Sequence, residues 1–152
     1  MPPHYGHLIR VLHSATDQTI TRSLEEMELT AAQGHLMAYL SRCDAPPCPR
    51  DVEDRFHLSH PTVSGLLSRL EKKGFISLEP DESDRRCKRI HVLEKGWACH
   101  DIMRQTIDKN ETRLVQGFSP EEREQFLALL LRAISNLGID PYQLPPKEET
   151  SK

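Results

Sequence analysis

Two stretches decide how this chain is read: residues 58–76, LSHPTVSGLLSRLEKKGFI, and residues 81–96, DESDRRCKRIHVLEKG. In the first, Ser59 is an N-cap residue and Pro61 falls in the first turn, where its missing amide donor costs little. Val63, Leu66, Leu67 and Leu70 then recur at helical spacing, which predicts an amphipathic helix over 60–73. Its other face carries Thr62, Ser64, Gly65, Ser68, Arg69 and Lys72, and Gly74 stops it as a C′ residue. A short polar helix over 50–56 precedes it, with His57 and Leu58 as the turn, so the pair forms a helix-turn-helix. In the second stretch, Lys88 to Leu93 is a short strand candidate that matches Phe75 to Glu79. Between them lies the turn-rich run Pro80 to Arg86, and the whole predicts a hairpin with a charged tip.

The flanks on both sides are helical by pattern. Residues 4–45 contain no proline, and Leu8, Ile9, Leu12, Ala15, Ile20 and Leu24 place a first helix over roughly 7–26. Thr30 opens a second through the capping box Thr30-Ala31-Ala32-Gln33, and that helix stops near Arg42, before Asp44-Ala45-Pro46-Pro47. After Gly96 a long helix runs to about Gln116. Ser119-Pro120-Glu121-Glu122 combines a capping box with proline at N1 and starts a last helix over 120–137, ended by Gly138. Phe126, Leu127, Leu129, Leu130, Leu131, Ala133, Ile134 and Leu137 cover more than one face of it. Such a face needs burial on two sides, which a second subunit supplies.

Composition sets the outer bounds. The chain has 152 residues, 37% hydrophobic and 28% charged, which excludes two large domains. No apolar run exceeds Phe126 to Leu131, and the start MPPHYGHLIR has no signal-peptide core, so a soluble cytoplasmic protein without membrane contact is expected. Cys43, Cys48, Cys87 and Cys99 are too few and too scattered for a secreted disulfide framework, and reduced thiols are expected. The formal charge of −3 conceals a net +3 over residues 55–95 and −6 over the remainder. One basic segment sits inside an acidic frame.

The two opening stretches, with the tip Asp84-Arg85-Arg86, resemble the winged helix-turn-helix core of the multiple-antibiotic-resistance regulator (MarR) family over about residues 29–97. The resemblance implies a mainly α fold with a small β-hairpin wing (α+β). It implies a homodimerising N-terminal helix over 1–28, a DNA-binding domain over 29–97, dimerising C-terminal helices over 98–140, and a homodimeric repressor of a palindromic operator. Residues 141–152 are expected to be a disordered tail. Position 53, where the family places a small apolar residue, carries Glu53, and the prolines at 46, 47 and 49 stiffen the approach to the short helix.

Double-stranded DNA is the expected partner. A helix in the major groove needs short donors and acceptors in its N-terminal half and cations at its flanks. Ser59, His60, Pro61, Thr62, Ser64, Gly65 and Ser68 meet the first need, and Arg69 and Lys72 the second. Arg85 and Arg86 at the hairpin tip suit the narrow, negative minor groove, Arg86 by insertion. The resemblance gives Asp84 the task of holding the wing arginines through an ion pair.

For release from DNA the sequence offers three routes. A small-molecule effector would draw on Arg10, His13, His35 and Tyr39; a thiol switch on Cys43 and Cys48, which flank Asp44 to Pro47, although no cysteine lies on the first helix where peroxide-sensing relatives carry theirs. A metal would have only His35 and His100, without a His-x3-His pair, so no metal and no cofactor is expected. An enzyme is disfavoured because the chain has no Gly-rich phosphate loop, nucleophile elbow or His-Glu-x-x-His. The remaining alternative is a winged-helix protein-interaction module without DNA binding.

Overall fold

The computed structural model describes residues 4–140, so the tail expected over 141–152 lies outside the described residues. The described elements are α1 (Tyr5–Glu26), α2 (Ala31–Leu40), α3 (Pro49–Phe56), α4 (His60–Lys72), β1 (Ile76–Pro80), β2 (Lys88–Val92), α5 (Glu94–Leu114) and α6 (Pro120–Asn136). The fold is therefore mainly α with one antiparallel hairpin, in which Ile76 pairs with Val92 and Pro80 with Lys88. The chain divides into two compact units at Asn110 and Glu111, within α5.

The first unit holds the core. Leu36, Met37 and Leu40 of α2, Val52 of α3, and Val63, Leu66, Leu67 and Leu70 of α4 are buried together with Phe75, Ile76, Ile90 and Cys99. The capping box at Thr30 forms as the sequence predicts: Gln33 N–H donates to Thr30 Oγ1 at 3.3 Å and Thr30 N–H to Gln33 Oε1 at 3.1 Å. Lys73 reinforces it by donating to Gln33 Oε1 and to Glu28 O, so this cation of the basic segment is used inside the fold. Lys95 is spent likewise, stacked over the Phe75 ring at 4.5 Å and donating to Lys73 O.

The starts of the third and fifth helices differ from the sequence reading, each for a local reason. The third helix begins at Pro49, not Arg50, because Cys48 is its N-cap and Asp51 Oδ2 accepts from Cys48 N–H at 2.8 Å. The fifth begins at Glu94, and Gly96 lies inside its first turn where a break was expected. A Cβ there would stand 2.5 Å from Phe75 O and 2.7 Å from Val92 Cγ1, so glycine serves the close approach of helix to hairpin. The turn between α3 and α4 is made by His57 in the left-handed region, φ 50°.

In the second unit, α6 starts at Ser119 with the expected box, Glu122 N–H donating to Ser119 Oγ at 3.2 Å and Ser119 N–H to Glu122 Oε2 at 2.7 Å. Phe118 meets Phe126 edge-on with ring centres 5.7 Å apart. None of the residues of α6 is buried.

Candidate nucleic-acid interface

The candidate reading helix is held by its inner face and capped by its own sequence. Ser59 Oγ accepts from Thr62 N–H and contacts Thr62 Oγ1 at 2.9 Å, so these two hydroxyls also brace the first turn. With Val63, Leu66, Leu67 and Leu70 turned inward, His60, Pro61, Thr62, Ser64, Ser68, Arg69 and Lys72 are exposed. Gly65 is half-buried, and a Cβ there would meet nothing within 4 Å. Among the described residues nothing requires glycine at that position, although it costs a helix about 1 kcal/mol relative to alanine.

Glu53 explains the departure noted at that position. The packing of α3 rests on Val52, which is wholly buried, and on half-buried Phe56. Glu53 is left to accept from His60 Nδ1 at 2.6 Å across the turn. It therefore orients the imidazole at the first position of α4.

The wing tip is tied by carboxylates. Asp81 Oδ1 accepts from Ser83 N–H at 2.8 Å and from Asp84 N–H at 3.0 Å, and the Asp81 carboxylate also pairs with Arg89. Ser83, Arg89 and the Ser83 and Asp84 amides hold its carboxyl well below the usual range. The ion pair expected of Asp84 is thus made by Asp81 with Arg89. Asp84 instead accepts from the Arg86 backbone N–H at 3.0 Å, because the tight turn presents the amide and not the guanidinium to it. Arg85 and Arg86 are exposed and form no ion pair among the described residues.

A groove of about 710 Å³ separates the helix-turn-helix from the wing. Glu53, His60, Ser64 and Ser68 line one side, Asp84, Arg86 and Lys88 the other. Ser59, Pro61, Thr62, Gly65, Arg69, Lys72 and Arg85 lie outside that lining. Sequence reasoning missed Arg50 and Lys88, which add positive charge to the groove, and Glu53 and Asp81, which act on neighbours. The only signal for the last two was a carboxylate beside a turn, common on any surface.

The residues proposed for an effector lie on two helices, Arg10 and His13 on α1 and His35 and Tyr39 on α2. Arg10 and His13 are exposed on α1, and His35 is exposed on the outer side of α2. Tyr39 packs edge-on against Phe56, ring centres 5.5 Å apart, and desolvation together with the Cys43 thiol pushes its hydroxyl up to about 12. A separate cleft of about 360 Å³ is bounded by Met37 and Arg42 on one side and His100, Met103 and Arg104 on the other, and none of the four lines it. Among the described residues no group of three His, Cys, Asp or Glu is placed to hold a metal, and no helix is long and apolar enough to cross a membrane.

A helix-turn-helix followed by a hairpin that shares its open side is a winged helix-turn-helix, and that is the class this fold defines. The family model for the MarR family matches residues 27–86. A Staphylococcus aureus MepR–DNA complex is 32% identical, matches 88% of this chain and 99% of its own with a TM-score of 0.78. A second MepR structure, described as that of a transcription regulator of the Staphylococcus aureus multidrug efflux pump MepA, is 30% identical over 89% of this chain and 99% of its own, TM-score 0.78. A putative MarR family transcriptional regulator from Clostridium acetobutylicum shares the fold at 24% identity over 89% of this chain and 98% of its own, TM-score 0.73. The chain belongs to the MarR family.

Proposed function

We propose that this MarR-family protein is a DNA-binding transcription regulator, a cytoplasmic homodimeric repressor that grips a palindromic operator and lets go in response to an effector. One observation carries the reading: His60, Ser64 and Ser68 of α4 and the Arg86 tip of the wing open onto the same groove. In this reading Ser59, His60, Pro61, Thr62, Ser64, Gly65 and Ser68 enter the major groove, Arg69 and Lys72 meet phosphates, and Arg85 and Arg86 reach the minor groove. Asp84 keeps the tip in shape through the Arg86 amide. No catalytic role is assigned to any residue.

Dimerisation is assigned to residues 1–28 and 98–140. Leu8, Ile9 and Leu12 of α1 are 42–56% exposed, and Leu127 and Leu129 of α6 are 58% and 49% exposed, apolar surface that a second subunit would cover. Selection of bound duplexes from random DNA tests the whole reading. The expected product has two half-sites about 34 Å apart, one helical turn. Recovery of unrelated sequences without paired half-sites would favour the protein-interaction alternative.

A further inference from the structure

The four cysteines are free, and two of them meet. Cys48 is the N-cap of α3, and Cys87 follows Arg86 in the wing. The segment before α3 runs beside β2, with Ile90 N–H donating to Pro47 O at 2.8 Å and the Arg89 guanidinium to Pro46 O at 3.3 Å. This anchoring brings the Cys48 and Cys87 side chains to the same groove, with Arg89 in electrostatic range of both sulfurs. Both are half-buried and both line the groove between α4 and the wing. Cys43, the partner that spacing suggested for Cys48, donates its thiol to Tyr39 O instead, and Cys99 is buried in the core.

We infer that Cys48 and Cys87 form a reversible disulfide within one chain on exposure to a peroxide, tying the wing to the amino end of α3 and weakening the grip on DNA. The effect on DNA rests on the function proposed above; the cross-link does not. In the first step one thiolate attacks a peroxide oxygen, the O–O bond breaks, a sulfenic acid forms and, for hydrogen peroxide, water leaves with the proton. The second thiol attacks that sulfur, the S–S bond forms and the sulfenic oxygen departs as a second water. The thiol pair is oxidised, the peroxide is reduced, and a dithiol reverses the bond by exchange.

The consequence for the wing follows from bond lengths. Disulfide sulfurs stand about 2.05 Å apart, closer than any two unbonded thiols, so closure pulls on Cys87. The Cys87 N–H donates to Asp84 O and its carbonyl accepts from Asp81 N–H, both at 2.9 Å, so this residue closes the tip from both sides. Its displacement moves the adjacent Arg86.

The test treats the purified full chain with hydrogen peroxide and follows intact mass, linked peptides and affinity for a duplex recovered from the random pool. The expected result is a loss of about 2 Da, a Cys48–Cys87 peptide and DNA binding weaker by about tenfold or more, all reversed by dithiothreitol. Cys48→Ser, which keeps the helix capped because serine is a favoured N-cap, and Cys87→Ser should abolish the loss of mass and of affinity. The combined Cys43→Ser and Cys99→Ser variant should retain both. A link through Cys43, a link between chains, oxygen adducts without a link, or equal affinity before and after oxidation would overturn the inference. If the reduced protein binds no duplex, the proposed function fails, and the mass measurement still decides the disulfide.

Discussion

The helix-turn-helix with its wing and the two ends of the described chain treat apolar surface in opposite ways. Val63, Leu67, Leu70, Phe75, Ile76 and Ile90 are each at most 1% exposed, whereas Leu8 to Leu12 of α1 and Leu127 and Leu129 of α6 leave large apolar side chains in solvent. The first region is specified by contacts within one chain. The others carry apolar residues at helical spacing with nothing in the same unit to cover them, which is how a helix looks when its sequence is written for a second surface.

Truncation of the core gives the largest expected difference between these regions. Leu70→Ala should cost about 2–5 kcal/mol in urea denaturation, since its surroundings are closed on all sides. Leu127→Ala should cost less than about 0.5 kcal/mol in the dilute monomer and show its main effect as weaker dimerisation, read as concentration-dependent stability. Equal losses in dilute protein would break the comparison. Next in size is Arg86→Ala, which should weaken operator binding by about 1–3 kcal/mol and flatten its salt dependence by about one counterion in a salt titration.

A smaller effect separates folding from binding at one position. Gly65→Ala should stabilise the protein by up to about 1 kcal/mol, because the Cβ enters open space within a helix, and should lower DNA affinity, because that space is assigned to the duplex. A variant that gains stability and binds normally would remove Gly65 from the interface. The smallest effect concerns wing order and acid. The depressed Asp81 carboxyl stabilises the tip above its unfolded pKa of about 4 and loses that contribution as pH falls toward its folded value. Amide protection in residues 81–89, taken relative to the intrinsic exchange rate at each pH, should therefore fall below about pH 4, and Asp81→Asn should remove most of that dependence.

Much of this was legible beforehand because local chemistry and long-range packing agree. The capping boxes at Thr30 and Ser119, the apolar stripe of α4 and the two short strands all appear where their residues place them. Failures came where one residue answers to a distant partner. Gly96 was read as a break because nothing nearby in sequence shows that Phe75 and Val92 press against it. Asp84 was given an ion pair that geometry awards to Asp81 and Arg89, separated by eight positions and brought together by the hairpin. Cys43 is near Cys48 in sequence but turns its thiol to Tyr39 O, whereas the cysteine that shares a groove with Cys48 is Cys87.

The sequence by itself determined the helices, the hairpin, the class of fold and the polar face of α4, because periodicity, caps and turn residues act over a few positions and leave their mark in order along the chain. Tertiary structure alone decided that Glu53 holds His60, that Asp81 ties the wing, and that Cys48 and Cys87 share one groove. Such pairings depend on how separate elements dock, and docking is set by the shape of the buried core, which no local pattern of residues encodes.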